Sequence, residues 1–392
     1  MVLQRRRTLL KSTLLPALLE LSSWVMPSVA LAQTRSVTCA TSQSSQWRQW
    51  EQFVQRHVQA DGRVIDFSVA NQQSTSEGQS YGMFFALVAN DRERFARLWR
   101  WTCDNLGADS DSLPAWQWGK RDNGSYGVLD PNSASDADCW IAYALLEAGR
   151  LWQLPVYHAA GMALLRQIKE KEVIDCPGLG PMLLPGAVGF AMGNQTWRFN
   201  PSYLPLPLLR KLEQLDRAGP WSRMIQSALQ MMHQSAPLGV VPDWVTFQTG
   251  HGFVLDAQSK GVGSYDAIRA YLWAGMTAAT DPLASTWRDS LSGMLRFLES
   301  NHVVPEKVDT VTGAATGDAP PGFSAALLPY LASLQQDAML TVQLQRVQQV
   351  WRSDGDQGYY NNVLTLFGWG WQEGRYRFDV SGSLQPAWLP CQ

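Results

Sequence analysis

Residues 134–152 read Ala-Ser-Asp-Ala-Asp-Cys-Trp-Ile-Ala-Tyr-Ala-Leu-Leu-Glu-Ala-Gly-Arg-Leu-Trp, and this stretch decides the fold class. Asp136 and Asp138 open an otherwise apolar helix. A carboxylate is favoured there by the partial positive charge of the first turn, and Ser133 or Ser135 is placed to cap it. Ile141, Leu145, Ala148 and Trp152 follow at helical spacing and set one face towards a core. Alone, this is an ordinary capping signal. Two further stretches repeat it, Thr75-Ser76-Glu77-Gly78-Gln79-Ser80-Tyr81-Gly82-Met83 and Gly263-Ser264-Tyr265-Asp266-Ala267-Ile268-Arg269. Each sets one carboxylate at the start of an apolar helix, beside tyrosine and small residues. Three such starts can converge on one end of a helical barrel. Two carboxylates facing each other across a sugar are the minimum equipment for hydrolysing a glycosidic bond.

The chain has 392 residues, enough for one large domain or two ordinary ones. Hydrophobic residues make up 45% and charged residues 17%, as in a compact globular protein. A net charge of −2 gives no reason to expect a nucleic-acid partner. The 18 tryptophans exceed what a core needs, and flat rings in polar loops suit stacking on sugar faces. Five cysteines are too few for a disulfide framework. Cys139, inside the apolar helix, reads as a free core thiol, and a Cys39–Cys391 bridge stays open for an oxidising compartment.

The first residues read as an export signal. Arg5-Arg6-Arg7 precedes a mostly apolar run from Leu9 to Ala32, and Ala30-Leu31-Ala32 has the small residues of a cleavage site. Residues 1–32 are therefore expected to be removed, and 33–392 to form a single catalytic domain in the periplasm. Arg6-Arg7-Thr8-Leu9-Leu10-Lys11 also fits a twin-arginine signal. Pro16, Glu20 and Pro27 interrupt the run, which argues against a membrane anchor, and no stable membrane insertion is expected after cleavage.

Periodicity predicts about twelve helices, over 47–58, 77–90, 92–105, 136–152, 156–173, 202–216, 221–234, 265–279, 283–299, 322–333, 338–351 and 360–372. Trp244–Phe253 alternates at period two and reads as a short hairpin turning at Gly250. The Pro- and Gly-rich stretches 107–134, 174–200, 236–263 and 303–322 are long for plain connections, as functional loops often are. The expected architecture is one all-α domain of paired helices.

Single residues have structural explanations too. Glu77 can serve merely as an N-terminal helix charge, and Asp266 can pair with Arg269 at i,i+3. Functionally, Glu77 suits a general acid kept protonated by a partly apolar site, and Asp266 a base that activates water. Gly78-Gln79-Ser80-Tyr81-Gly82 matches a nucleophile elbow, but Asn71–Ser76 is too polar for the strand that the elbow requires, and no histidine follows His302. The five histidines lack zinc spacing, there is no phosphate loop, and acids dense enough for a diphosphate-binding magnesium site are missing. Neither metal nor other cofactor is expected. Trp116 and Trp118, with Trp197, Tyr203 and Trp244, are loop aromatics suited to successive sugar subsites.

The stretch Ala134–Trp152 resembles the signature of glycoside hydrolase family eight, with no mismatch from Ala-Ser-Asp-Ala-Asp through Ile141-Ala142 and Ala148 to Trp152. Thr75–Asp91, Leu113–Lys120, Gly178–Phe190, Trp197–Pro205, Pro242–Val245, Ser264–Arg269, Pro305–Val308, Gly322–Pro329 and Tyr359–Gly370 extend it. They are most similar to the family's endoglucanases that accompany bacterial cellulose synthesis. The resemblance spans nearly the whole chain after residue 46. It implies an (α/α)6 barrel, an inverting mechanism and a β-1,4-glucan substrate, with the cellulose synthase machinery as a candidate partner. By position it implies Glu77 as proton donor, Asp266 as base and Asp136 as the acid holding the sugar at the cleavage point. Trp116, Trp118, Tyr203, Tyr265 and Arg269 complete the expected substrate-binding set.

Overall fold

The computed structural model describes residues 46–352 and 358–389, all within one compact unit. The export signal, Cys39 and Cys391 lie outside the described residues. Thirteen α-helices occur among the described residues. They are α1 (Arg48–His57), α2 (Ser76–Val88), α3 (Arg92–Leu106), α4 (Ser135–Trp152), α5 (Pro155–Lys171), α6 (Leu206–Leu215), α7 (Trp221–Ser235), α8 (Ala267–Met276), α9 (Ala284–Asp289), α10 (Met294–Asn301), α11 (Pro321–Ser333), α12 (Asp337–Arg352) and α13 (Gly358–Gln372). Helices α2, α4, α6, α8, α11 and α13 form an inner ring, and the others an outer ring, in an (α/α)6 barrel.

An inner helix is enclosed on all sides, which explains why α4 differs from the sequence reading. Its apolar residues do not define one face, because Ser135–Gly149 is buried all round. Alanine and glycine permit the close packing. A Cβ at Gly368 would stand 1.7 Å from the Ala325 carbonyl oxygen, and one at Gly275 would stand 2.1 Å from the Tyr330 nitrogen, so α13 and α8 approach α11 backbone to backbone. The middle of the barrel is filled with rings. Trp140 lies 5.3 Å from Trp273 and 5.4 Å from Phe367, and Tyr81 meets Phe367 edge-on at 4.9 Å. Cys139 is a free thiol buried here.

The helix predicted over 283–299 is divided into α9 and α10. Gly293 gives its N–H to the Gly239 carbonyl at 2.9 Å, so that amide is lost to a continuous helix. The helix predicted from 202 starts at Leu206, after a 3₁₀ turn over Pro201–Tyr203. Pro205 delays it, since it has no N–H and Leu204 before it avoids helical geometry, whereas Pro207 lies in the first turn, where no N–H is needed. The predicted hairpin is present as Val245–Gln248 against Gly252–Leu255, with Gly250 at φ +81° in its turn. A third strand, Thr196–Phe199, joins it.

The sequence reading missed several other short strands. Ser74–Thr75 pairs with Gln117–Lys120, which pairs with Tyr126–Asp130. Val262–Gly263 pairs with Pro305–Asp309, which pairs with Ala315–Asp318. These small sheets precede inner helices and hold the starts of α2 and α8.

Candidate active site

The three carboxylates, read from three separate stretches, meet at one cation. Arg269 sits in the first turns of α8 and is only 3% exposed. Its Nη1 donates to Glu77 Oε2 in a close ion pair. Its Nη2 donates to Asp266 Oδ1 at 2.8 Å and to Ser202 Oγ at 3.2 Å, and lies 3.9 Å from Asp136 Oδ2. The i,i+3 pairing of Asp266 with Arg269 is thus real, and it is part of the site. Glu77 and Asp266 thus meet different nitrogens of one guanidinium.

Local structure explains each placement. Thr75 Oγ1 accepts the Gly78 N–H at 3.0 Å and caps α2, which leaves the Glu77 side chain free of capping. The Ser76 N–H bonds the Trp116 carbonyl at 3.0 Å and ties that start to the neighbouring sheet. At α4 neither expected cap forms. Ser133 Oγ donates to Glu172 at 2.6 Å, and the Ser135 hydroxyl has no partner. Asp136 Oδ1 accepts the adjacent Ala137 N–H at 2.8 Å instead.

Burial governs the electrostatics. It raises the Glu77 carboxyl above its ordinary range; Arg269 pulls against it and the charge of Asp266 reinforces it. Burial lifts Asp136 to about 7, with Arg269 opposing and Glu77 adding. Three charges of one sign around a single guanidinium cannot all ionise freely in such a space. The Glu77 side chain is 22% exposed and that of Asp266 31%, so both remain accessible from the open end of the barrel. Two accessible carboxyls, the more recessed one raised by burial, can divide acid and base work across a bond.

The aromatic residues separate into two groups. The Arg269 guanidinium lies 5.8 Å from the centre of the Tyr203 ring, and Tyr203 stands 6.1 Å from Trp244, so Tyr203 borders the carboxylates. Tyr265 is 44% exposed, edge-on to Phe323 at 5.0 Å. Trp118 instead packs against protein: edge-on to Trp101 at 5.3 Å, stacked on Tyr126 at 5.4 Å, with Arg63 at 4.4 Å from its ring. Trp116 is half-buried beside it.

Ser80 is fully buried in α2 and donates to the Glu77 carbonyl at 2.7 Å, so it is no nucleophile. Its glycines serve packing: a Cβ at Gly78 would come within 3.0 Å of the Tyr359 hydroxyl, and one at Gly82 within 3.2 Å of Leu98 and Val64. The sequence reading missed Tyr359, Tyr360, Ser202 and Asp243. Tyr360 donates to the Tyr265 carbonyl at 2.5 Å, and Asp243 accepts from the amides around Asp266. Only Asp243, in Pro242-Asp243-Trp244, carried a visible signal: an acid among apolar residues in a Gly-rich loop.

Linked carboxyls at the inner helix starts of an (α/α)6 barrel are suited to a glycoside hydrolase. The chain belongs to the glycosyl hydrolases of family 8, whose family model matches residues 25–374. An endoglucanase of Xanthomonas axonopodis pv. citri is 47% identical over 367 residues, 93% of either chain. An endoglucanase of Escherichia coli K12 is 48% identical over 344 residues, 87% of this chain and 91% of the relative. The crystal structure of an endo-1,4-D-glucanase from Vibrio fischeri ES114 matches with a TM-score of 0.84 at 42% identity, covering 88% of this chain and 100% of that one.

Proposed function

We propose that the protein is an exported, inverting endo-β-1,4-glucanase that hydrolyses cellulose in the periplasm during cellulose synthesis and export. Glu77 gives its proton to the leaving glycosidic oxygen. Asp266 takes a proton from the water that attacks the sugar from the opposite face. Asp136 bonds ring hydroxyls at the cleavage point and favours a distorted ring, a contact that strengthens in the transition state. Tyr203 and Tyr265 border the same sugar, and Trp116 and Trp118, the latter already packed on Trp101 and Tyr126, offer their exposed parts to a longer chain. The observation that carries this reading is the convergence of Glu77, Asp136 and Asp266 on one buried Arg269. The relatives' endoglucanase activity supports the substrate, and the arginine-led apolar start of the chain supports export.

Carboxymethylcellulose, xylan and chitosan are to be offered to the purified protein, with the anomer released followed by NMR. Release of the α-anomer from the cellulose derivative is expected. Glu77→Gln and Asp266→Asn should each lower turnover by about 10²–10⁴-fold. A dinitrophenolate leaving group, which needs no protonation, should partly restore Glu77→Gln but not Asp266→Asn. Equal recovery of the two variants would refute the division of roles.

A further inference from the structure

We propose that Asp243 is the positioning residue of the base: its carboxylate gathers the amides of the turn that opens α8, and so fixes Asp266 where it faces the cleft. The proposal rests on the reading of Asp266 as the base. Asp266 occupies the N-cap position of α8, and its side chain makes no capping hydrogen bond. An N-cap carboxylate bound to the N–H two or three residues on folds back over its own helix and cannot also hold a water in the cleft. At α8 those two amides, of Ile268 and Arg269, bond the Ser264 and Asp266 carbonyls, each at 3.1 Å, so the Asp266 side chain stays clear of them.

Here the capping comes from a distant loop. Asp243 Oδ1 accepts three amides: Ser264 N–H at 2.7 Å, Asp266 N–H at 3.1 Å and Ala267 N–H at 2.8 Å. Its own N–H donates to the Val262 carbonyl at 2.9 Å, so the residue grips the turn from both sides. The turn has little room to shift. A Cβ at Gly263 would stand 2.2 Å from the Val241 carbonyl oxygen, and Ser264 Oγ bonds the Glu306 carbonyl at 2.7 Å. Relieved of capping, the Asp266 carboxylate turns to Arg269 Nη2 at 2.8 Å. Removing the Asp243 acceptor leaves three amides without it and frees the turn that sets the start of α8, so the Asp266 carboxylate loses its fixed place.

Asp243→Ala and Asp243→Asn are compared with wild type and with Asp266→Asn. The amide of Asn keeps an acceptor oxygen for the three N–H groups, whereas Ala removes it. On carboxymethylcellulose, below the melting point of each variant, Asp243→Ala is expected to lower kcat about 10–100-fold with KM within about twofold, the scale of a base misplaced by roughly an ångström. Asp243→Asn is expected to recover most of that loss. A dinitrophenolate leaving group should not restore Asp243→Ala, since the defect lies on the water side of the reaction. If the alanine variant does not fold, Asp243→Glu, which shifts the acceptor by one methylene, carries the same expectation of lost kcat.

An unchanged kcat per folded Asp243→Ala molecule overturns the proposal. So does an Asp243→Asn variant as impaired as Asp243→Ala, or recovery by the better leaving group. A fully active Asp266→Asn would instead refute the base assignment, and this proposal with it. An inactive Asp266→Asn beside an unimpaired Asp243→Ala would refute this proposal alone.

Discussion

Glu172→Gln should make the protein more resistant to alkali, for a reason buried behind the site. Asp138 and Glu172 are both fully buried and face each other, and neither Asp138 oxygen accepts an N–H or O–H. Two carboxyls so enclosed cannot both ionise freely. Burial and the neighbouring Glu172 push Asp138 well above its ordinary range. Glu172 accepts the Ser133 hydroxyl at 2.6 Å and is lifted by burial to about 8. A glutamate near 4.5 in the unfolded chain and about 8 in the folded one binds its proton more tightly when folded. Its stabilisation is therefore complete below the unfolded value and is lost as pH rises through the folded one. Between pH 5 and pH 9 the loss is about 4 kcal/mol, from about 1.4 kcal/mol per tenfold change in the binding constant. Gln keeps the shape and cannot ionise. Urea unfolding of both proteins at pH 5, 7 and 9 should show wild type losing about 4 kcal/mol more than Glu172→Gln over that range. Asp136 and Asp243, also raised by burial, titrate in both proteins, so the difference reports Glu172 together with its coupling to Asp138. Parallel stability profiles for the two proteins would refute the raised Glu172 carboxyl.

Trp118→Ala is expected to cost about 2 kcal/mol of stability, because its half-buried ring packs on Trp101, Tyr126 and Arg63. Titration of the same variant with cello-oligosaccharides tests a sugar contact, which would show as an affinity loss growing with chain length; unchanged stability would refute the packing role. Gly368→Ala should destabilise by several kcal/mol, on the order of a large core defect, despite alanine's better helix propensity, since its Cβ would overlap the Ala325 carbonyl. Calorimetry checks this, and a melting point at or above wild type would contradict it. Export should remove residues 1–32, and N-terminal sequencing of the secreted protein that still found Arg5–Arg7 would contradict the cleavage reading.

Much of this molecule was written locally. The spacing of apolar residues marked almost every helix, because an amphipathic or wholly apolar helix announces itself within a few turns of chain. The acids at 77, 136 and 266 stood out because each opens such a helix, and the inner helices of a barrel start at one end. The failures lie where distant parts of the chain compete for the same groups. Gly239 takes an amide from the predicted 283–299 helix, Glu172 takes the hydroxyl of Ser133 that was expected to cap α4, and Ser74–Thr75 becomes a strand only because Gln117–Trp118 lies beside it.

The sequence by itself determined that the chain is helical, that it buries a ring-rich core, and which carboxylates stand at helix starts, since those properties follow from side-chain type and spacing along one segment. Only the tertiary structure decided that three of those carboxylates share Arg269, that Trp118 is engaged by protein, and that Asp243 caps the helix carrying Asp266. Apart from the local contact of Asp266 with Arg269, each of these is a pairing across many residues of chain, and which donor meets which acceptor is settled by packing, with no trace in either segment alone.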